Sequence, residues 1–331
     1  LLGAFLSFLA AISFALNNAT TRRGVINGTV AQAMAITVPM GVPLFLILLI
    51  AFGQVGEIFR FSWMSIFWLS IAGILHFVWG RYCNYRASKA IGTNLQGPAS
   101  QSDILFTLGL AVWILGEKLT PLRVIGIILV VGGPMITMLA DLREARAKGD
   151  AAGAISASGF QPSYVEGYLF AVLSGTGYGI SPIFVRLGLQ NTGMATALAG
   201  GLVSYIAATI AISFLLLIPG QYEHVRKTDP STRRWFFTSG FTVMMSQMFR
   251  YLALSVAPVS VVQPIQRLSL VFRFFFSWLM NREHEVFSGR MWVSTGISLL
   301  GALALTLTTE QVRFVLPLPD AFARFLDIQW P

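Results

Sequence analysis

Ten apolar stretches, each close to the length of a membrane-crossing helix, leave this chain few folds to choose from. They run at about 1–20, 31–52, 63–84, 92–115, 121–140, 165–187, 194–218, 235–256, 258–280 and 291–309. A hydrocarbon core of ~30 Å takes ~20 helical residues to cross. Inside it the backbone must satisfy its own hydrogen bonds, which a helix does. The joints between stretches are polar or helix-breaking, as at Arg22-Arg23-Gly24 and the run 222–234. Only 11% of residues are charged, where a soluble domain carries roughly 25%. The predicted fold class is therefore an all-α polytopic membrane protein with ten transmembrane helices. The run 1–16 lacks a charged n-region and reads as the first membrane helix.

The longest joint, 141–163, is charged at first and then small and flexible, and reads as a linker. It divides the chain into 1–140 and 164–309, five stretches each, followed by an amphipathic or frayed tail at 310–331. The halves repeat one another. A shift of 168 lays Glu285 on Glu117, Ser288 on Thr120 and Gly301 on Gly133. A shift of 164 lays Tyr178, Arg186 and Gly188 on Phe14, Arg22 and Gly24. Five crossings per repeat is odd, so the second half must insert upside down relative to the first, as in many secondary transporters.

Two five-helix halves, the box Gly116-Glu117-Lys118-Leu119-Thr120 and the glycine-spaced fifth helix (Gly126, Gly133) resemble the EamA-type drug/metabolite transporter superfamily. The second copy of the box, 281–287, keeps Glu285 but lacks the glycine. The resemblance covers about residues 1–309. It implies a ten-helix, multi-pass inner-membrane carrier, an exporter of small metabolites such as amino acids. It names no substrate and no site residue.

The site must therefore be read from polar and ionisable groups inside apolar stretches. A carboxylate at mid-bilayer costs roughly 2.5–3.5 kcal/mol on insertion scales. Asp103 stands at that depth in the fourth stretch. Gln96, Ser100, Asp103 and Thr107 follow at spacings of four, three and four, which puts them on one face of a continuous helix. Arg267 and Arg273 lie in the ninth stretch, the repeat partner of the fourth, and Arg250 in the eighth. His76 and Trp79 lie just before Gly80 in the third, and Tyr178 lies in the glycine-rich sixth. The predicted substrate-binding residues are Gln96, Ser100, Asp103, Tyr178, Arg267, Arg250, His76 and Trp79. Asp103 is also the candidate for proton coupling, with Arg267 its expected counter-charge. Cations outnumber acids in this set, so the expected solute is anionic or zwitterionic. Gly175 to Pro182 reads as a flexible or partly unwound segment.

Enzyme signatures are not visible. His284-Glu285 lacks the second histidine of a zincin, and no Gly-x-Ser-x-Gly elbow occurs. No cofactor or metal site is expected, and the single cysteine, Cys83, reads as a packed residue. The alternative from another class is an intramembrane transferase acting on a lipid-linked substrate. Net charge is +9, but much of the excess lies in short joints, so the expected partners are the bilayer and a small molecule rather than nucleic acid. The protein is expected as a monomer or homodimer. The loops holding Arg22, Arg86, Lys89 and Arg226 are the more basic side, which the positive-inside rule makes cytoplasmic. The resemblance instead implies cytoplasmic termini, and both orientations stay open.

Overall fold

The computed structural model describes residues 1–115, 120–148, 162–190 and 193–306, with isolated residues 319 and 328. The Gly116–Leu119 part of the box, most of the linker and nearly all of the tail lie outside the described residues. The elements are α1 (Leu2–Asn27), α2 (Val30–Thr37), α3 (Gly41–Ala51), α4 (Trp63–Gly73), α5 (Arg81–Ala99), α6 (Asp103–Leu115) and α7 (Pro121–Lys148). After the linker come α8 (Tyr164–Gly188), α9 (Met194–Leu216), the short α10 (Gln221–Arg226), α11 (Pro230–Val256), α12 (Val259–Gln266), α13 (Ser269–Asn281) and α14 (Gly289–Thr306). No strand forms among the described residues. Among the described residues, six segments are long and apolar enough to cross a membrane. One of these, 63–114, contains a chain reversal, and the helical pattern is consistent with the ten crossings expected from sequence.

Local chemistry sets the ends. Thr29 caps α2 in a reciprocal box with Gln32. Asp229 caps α11, and hydrogen bonds from the Ser231 hydroxyl and the Thr232 and Ser231 amides hold its carboxyl below the usual range. Large apolar side chains such as Ile47, Trp113, Ile136, Phe214 and Trp278 face outward, as lipid contact requires.

Gly92 turns the third stretch into the fourth. Its φ of 78° and ψ of 167° fall in a region essentially reserved for glycine. Before this residue the chain runs antiparallel to α8: Leu69 meets Gly188, Gly80 meets Gly177 and Ile91 meets Gly167. After it the chain runs parallel to α8, with Ser100 on Ser174 and Thr107 on the Gly179 carbonyl. A Cβ at position 92 would also lie 2.6 Å from Glu285 Oε2. Gly92→Ala is expected to lower stability by about 1–3 kcal/mol, measurable as a reduced melting temperature of the detergent-solubilised protein.

The two halves are related by a two-fold axis. In the α7–α14 pair, Gly133 packs on Ser294 and Ile297, while Gly301 packs on Gly126, Leu129 and Val130. Exchanging the halves by 168 positions maps each contact onto the other. Ser298 donates to the Val130 carbonyl across a separation of 168, so this pair sits on the axis. In the α3–α9 pair, Gly41 packs on the ring of Tyr205, 164 positions away, while Gly201 packs on Phe45. These separations are the two sequence shifts. Both pairs run antiparallel, because low numbers meet high ones along each contact. An axis along the helices would make the pairs parallel, so the axis is perpendicular to them and the repeat is inverted.

Two helices are interrupted at equivalent places. A 3-10 turn, Ser100–Ser102, separates α5 from α6, and Arg267 and Leu268 separate α12 from α13. From their unbroken apolar character both stretches are expected to be continuous helices. Pro98 stands just before the first break. By contrast α8 stays helical through Gly175, Gly177 and Gly179, which corrects the expectation of an unwound segment. A Cβ at these glycines would come within 2.6 Å of Ser102 Oγ, 2.5 Å of the Leu75 carbonyl and 2.3 Å of the Asp103 carbonyl respectively. They serve close helix approach, as small residues do in lipid.

Candidate functional site

The breaks place two opposite charges face to face. Asp103 opens α6, and Arg267 follows the last residue of α12. A helix N-terminus favours an anion and a C-terminus a cation, so each charge sits where its own helix stabilises it. Arg267 Nη1 donates to Asp103 Oδ1 at 2.5 Å and to Gln101 Oε1 at 2.6 Å, and Nη2 reaches Gln263 Oε1 at 3.4 Å.

These groups border a small cavity of about 60 Å³ between the halves. α1 contributes Ala10, Ala11 and Phe14, and the other helices add His76, Asp103, Tyr178, Gln247, Arg250 and Arg267. His76 belongs to a π-helical segment, Ile74–Gly80, a local widening frequent at functional sites. Its Nδ1 lies 2.8 Å from Ser181 Oγ and its Nε2 lies 3.1 Å from the Gln247 amide nitrogen. The amide donates, so Nε2 accepts and Nδ1–H donates to Ser181. Arg250 donates to Gln247 Oε1 at 2.9 Å and to Ser181 Oγ at 3.1 Å. Both partners are neutral, and among the described residues Arg250 forms no ion pair.

Of the eight residues expected at the site, Asp103, Tyr178, Arg267, Arg250 and His76 border the cavity. Gln96 and Ser100 do not. The break after Ala99 ends the single polar face that a continuous helix would present. Gln96 instead accepts from Arg273 at 2.6 Å and donates to Ser100 at 2.6 Å, and Ser100 meets Ser174. Trp79 points away, 44% exposed, with its indole N–H on Thr176. Sequence reasoning missed Gln101, Gln263, Gln266 and Ser246, because an uncharged polar residue in an apolar run gives little signal.

It also missed a second buried cluster. Arg22 and Glu285 lie 3.6 Å apart, with side chains 1% and 0% exposed. Arg22 donates to the carbonyls of Ser88, Lys89 and His284. Glu285 accepts from the Thr93 and Asn94 amides and the Thr93 hydroxyl, so it caps the helical turns after Gly92. This clamp ties the end of α1 to the Gly92 reversal and to the α13–α14 joint. Arg186, the repeat partner of Arg22, donates to the Leu254 carbonyl in the equivalent contact. Phe14 and Arg273 lie between clamp and cavity, with the guanidinium 5.9 Å from the ring centre. The 164 shift pairs Arg22 with Arg186 and was the available hint, but Arg22 read as a loop charge.

A helical bundle with inverted halves, broken helices meeting at its middle and a polar cavity between the halves is the architecture of a polytopic membrane transporter. A family model described as the EamA-like transporter family matches residues 1–139 and 165–307. The chain belongs to that family, as the box and the repeats imply. A solved structure, titled only as a crystal structure of a protein, is similar over 92% of this chain and 95% of its own, with a TM-score of 0.62 and 18% identity. That likeness shows the fold alone. Among curated proteins no sequence matches.

Proposed function

We propose that this protein is an inner-membrane exporter that moves a small anionic or zwitterionic metabolite, such as an amino acid, by alternating access. The observation that carries this reading is the charge inventory of the cavity: two arginines against one aspartate, with Arg250 held only by neutral partners. A carboxylate or phosphate entering here meets a guanidinium with nothing to displace but amide and hydroxyl contacts. Its negative group pairs with Arg250 and competes with Asp103 for Arg267. When Arg267 turns toward the solute, Asp103 loses its counter-charge and accepts a proton. Return of Arg267 to Asp103 releases the proton and restores the starting state.

A melting-temperature screen against carboxylates, phosphates, amino acids and cationic amines tests this reading, since a ligand stabilises the state it binds. Acidic or zwitterionic compounds should raise the melting temperature and cationic amines should not. Arg250→Gln is expected to weaken binding of the best hit by about 1.5–3 kcal/mol, the worth of a charged hydrogen bond, which titration calorimetry reads directly. Unchanged affinity would take Arg250 out of the site. Chemical conversion of the hit would favour the transferase reading.

A further inference from the structure

A second recess opens on the side of the bundle, away from the central cavity. Its mouth is lined by Thr29, Tyr82, Arg86, Lys89, Glu166 and His224. Thr29, Lys89, Glu166 and His224 lie near helix ends on the clamp side. Through Ala31, Tyr82 and Gln221 it continues into an apolar cleft walled by Met34, Val78, Leu215 and Leu216. The cleft wall also holds Trp79, which explains its place outside the cavity.

The two parts differ in chemistry and in depth. Val78 lies eleven positions before Lys89, which at 1.5 Å per residue is roughly 16 Å along the helix. The cleft therefore starts beside the mouth, at headgroup depth, where Leu216 ends α9 and Val225 lies in α10, and reaches acyl-chain depth at Val78. In the mouth Arg86 uses its Nε on Glu166, and Lys89 gives one hydrogen bond to the Gly28 carbonyl. Both side chains remain exposed. An ammonium carries three donors and a guanidinium five, so both retain N–H groups for a ligand. Arg86 and Lys89 outweigh Glu166, which leaves the mouth cationic.

We propose that this groove binds an anionic phospholipid, with its phosphate on Lys89 and Arg86 and one acyl chain in the cleft along Met34, Val78 and Leu215. Charge complementarity selects the headgroup, and the continuity of mouth and cleft selects a lipid over a free anion. The Lys89 carbonyl also accepts from Arg22. A lipid held by the Lys89 ammonium thus touches the residue that the buried clamp grips from the other side.

The test uses the full chain in detergent, with melting temperature and native mass spectrometry as readouts. Phosphatidylglycerol should stabilise the protein and remain bound in preference to phosphatidylcholine by about fivefold for each basic side chain engaged. Lys89→Gln with Arg86→Gln should abolish the preference. Ala31→Trp fills the junction of mouth and cleft and leaves every charge in place. It should lose lipid retention while melting as the parent does without lipid, which keeps the proposal testable if the double variant misfolds. Equal retention of the two lipids, full stabilisation by inorganic phosphate alone, or unchanged retention in Ala31→Trp would overturn it. A change from dimer to monomer in Ala31→Trp would assign the groove to a second copy of the chain and overturn it too.

Discussion

Asp103→Asn is expected to abolish transport driven by a pH gradient in proteoliposomes while substrate–substrate exchange continues. Asn keeps the shape of Asp and one carbonyl oxygen for the Arg267 hydrogen bond. Arg267 also keeps Gln101 and Gln263 as acceptors and faces a polar cavity rather than lipid. The buried charge is thus less stranded than in a dry core, and the fold should persist. What the amide cannot do is bind and release a proton across the transport cycle. Net coupled movement needs that step, whereas exchange needs only that the loaded carrier change sides. The two assays therefore separate loss of coupling from loss of the protein. Gradient-driven transport at the parent rate would remove Asp103 from the coupling mechanism and leave its pair with Arg267 as a packing feature.

The fold was legible because its signals are long. An apolar run of twenty residues cannot hide, and the glycines of α7 and α14 recur at a fixed shift that later proved to be a geometric symmetry. The Asp103–Arg267 pair was legible for a related reason: a charge in the middle of an apolar run stands out, and the repeat brings the fourth and ninth stretches together. The breaks in those stretches were not legible. A three-residue 3-10 turn changes no hydropathy average, yet it rotates Asp103 into the cavity and leaves Gln96 and Ser100 behind. Trp79 failed for the opposite reason. Proximity in sequence to His76 says little, because the local helix sends the two side chains to different surfaces. Arg22 was masked by its address, since two arginines beside a glycine look like any membrane-edge loop.

Glu285→Ala should be among the most damaging single changes in the chain. It removes the charge that compensates Arg22 in a place without water access, where stranding a buried charge costs about 3–5 kcal/mol. It also uncaps the Thr93 and Asn94 amides at the start of a membrane helix, where unsatisfied donors find no solvent. A large fall in melting temperature and in recovered monodisperse protein is the expected result. Glu285→Gln is the more informative variant. The amide keeps one acceptor oxygen but turns an N–H toward donors, so the clamp should loosen without collapse. If the clamp holds this end of the bundle shut, loosening it shifts the population toward the state open on that side. A cysteine at position 88, placed in a Cys83→Ala background, reports this directly, because Ser88 is 1% exposed and its carbonyl is gripped by Arg22. Its reaction with a membrane-impermeant thiol reagent should quicken severalfold in Glu285→Gln and slow again when a bound substrate favours the closed form. A rate that does not change, in a variant that has measurably lost stability, would make the clamp a structural tie and place the moving parts of the gate elsewhere, nearest of all at the paired breaks beside Asp103 and Arg267.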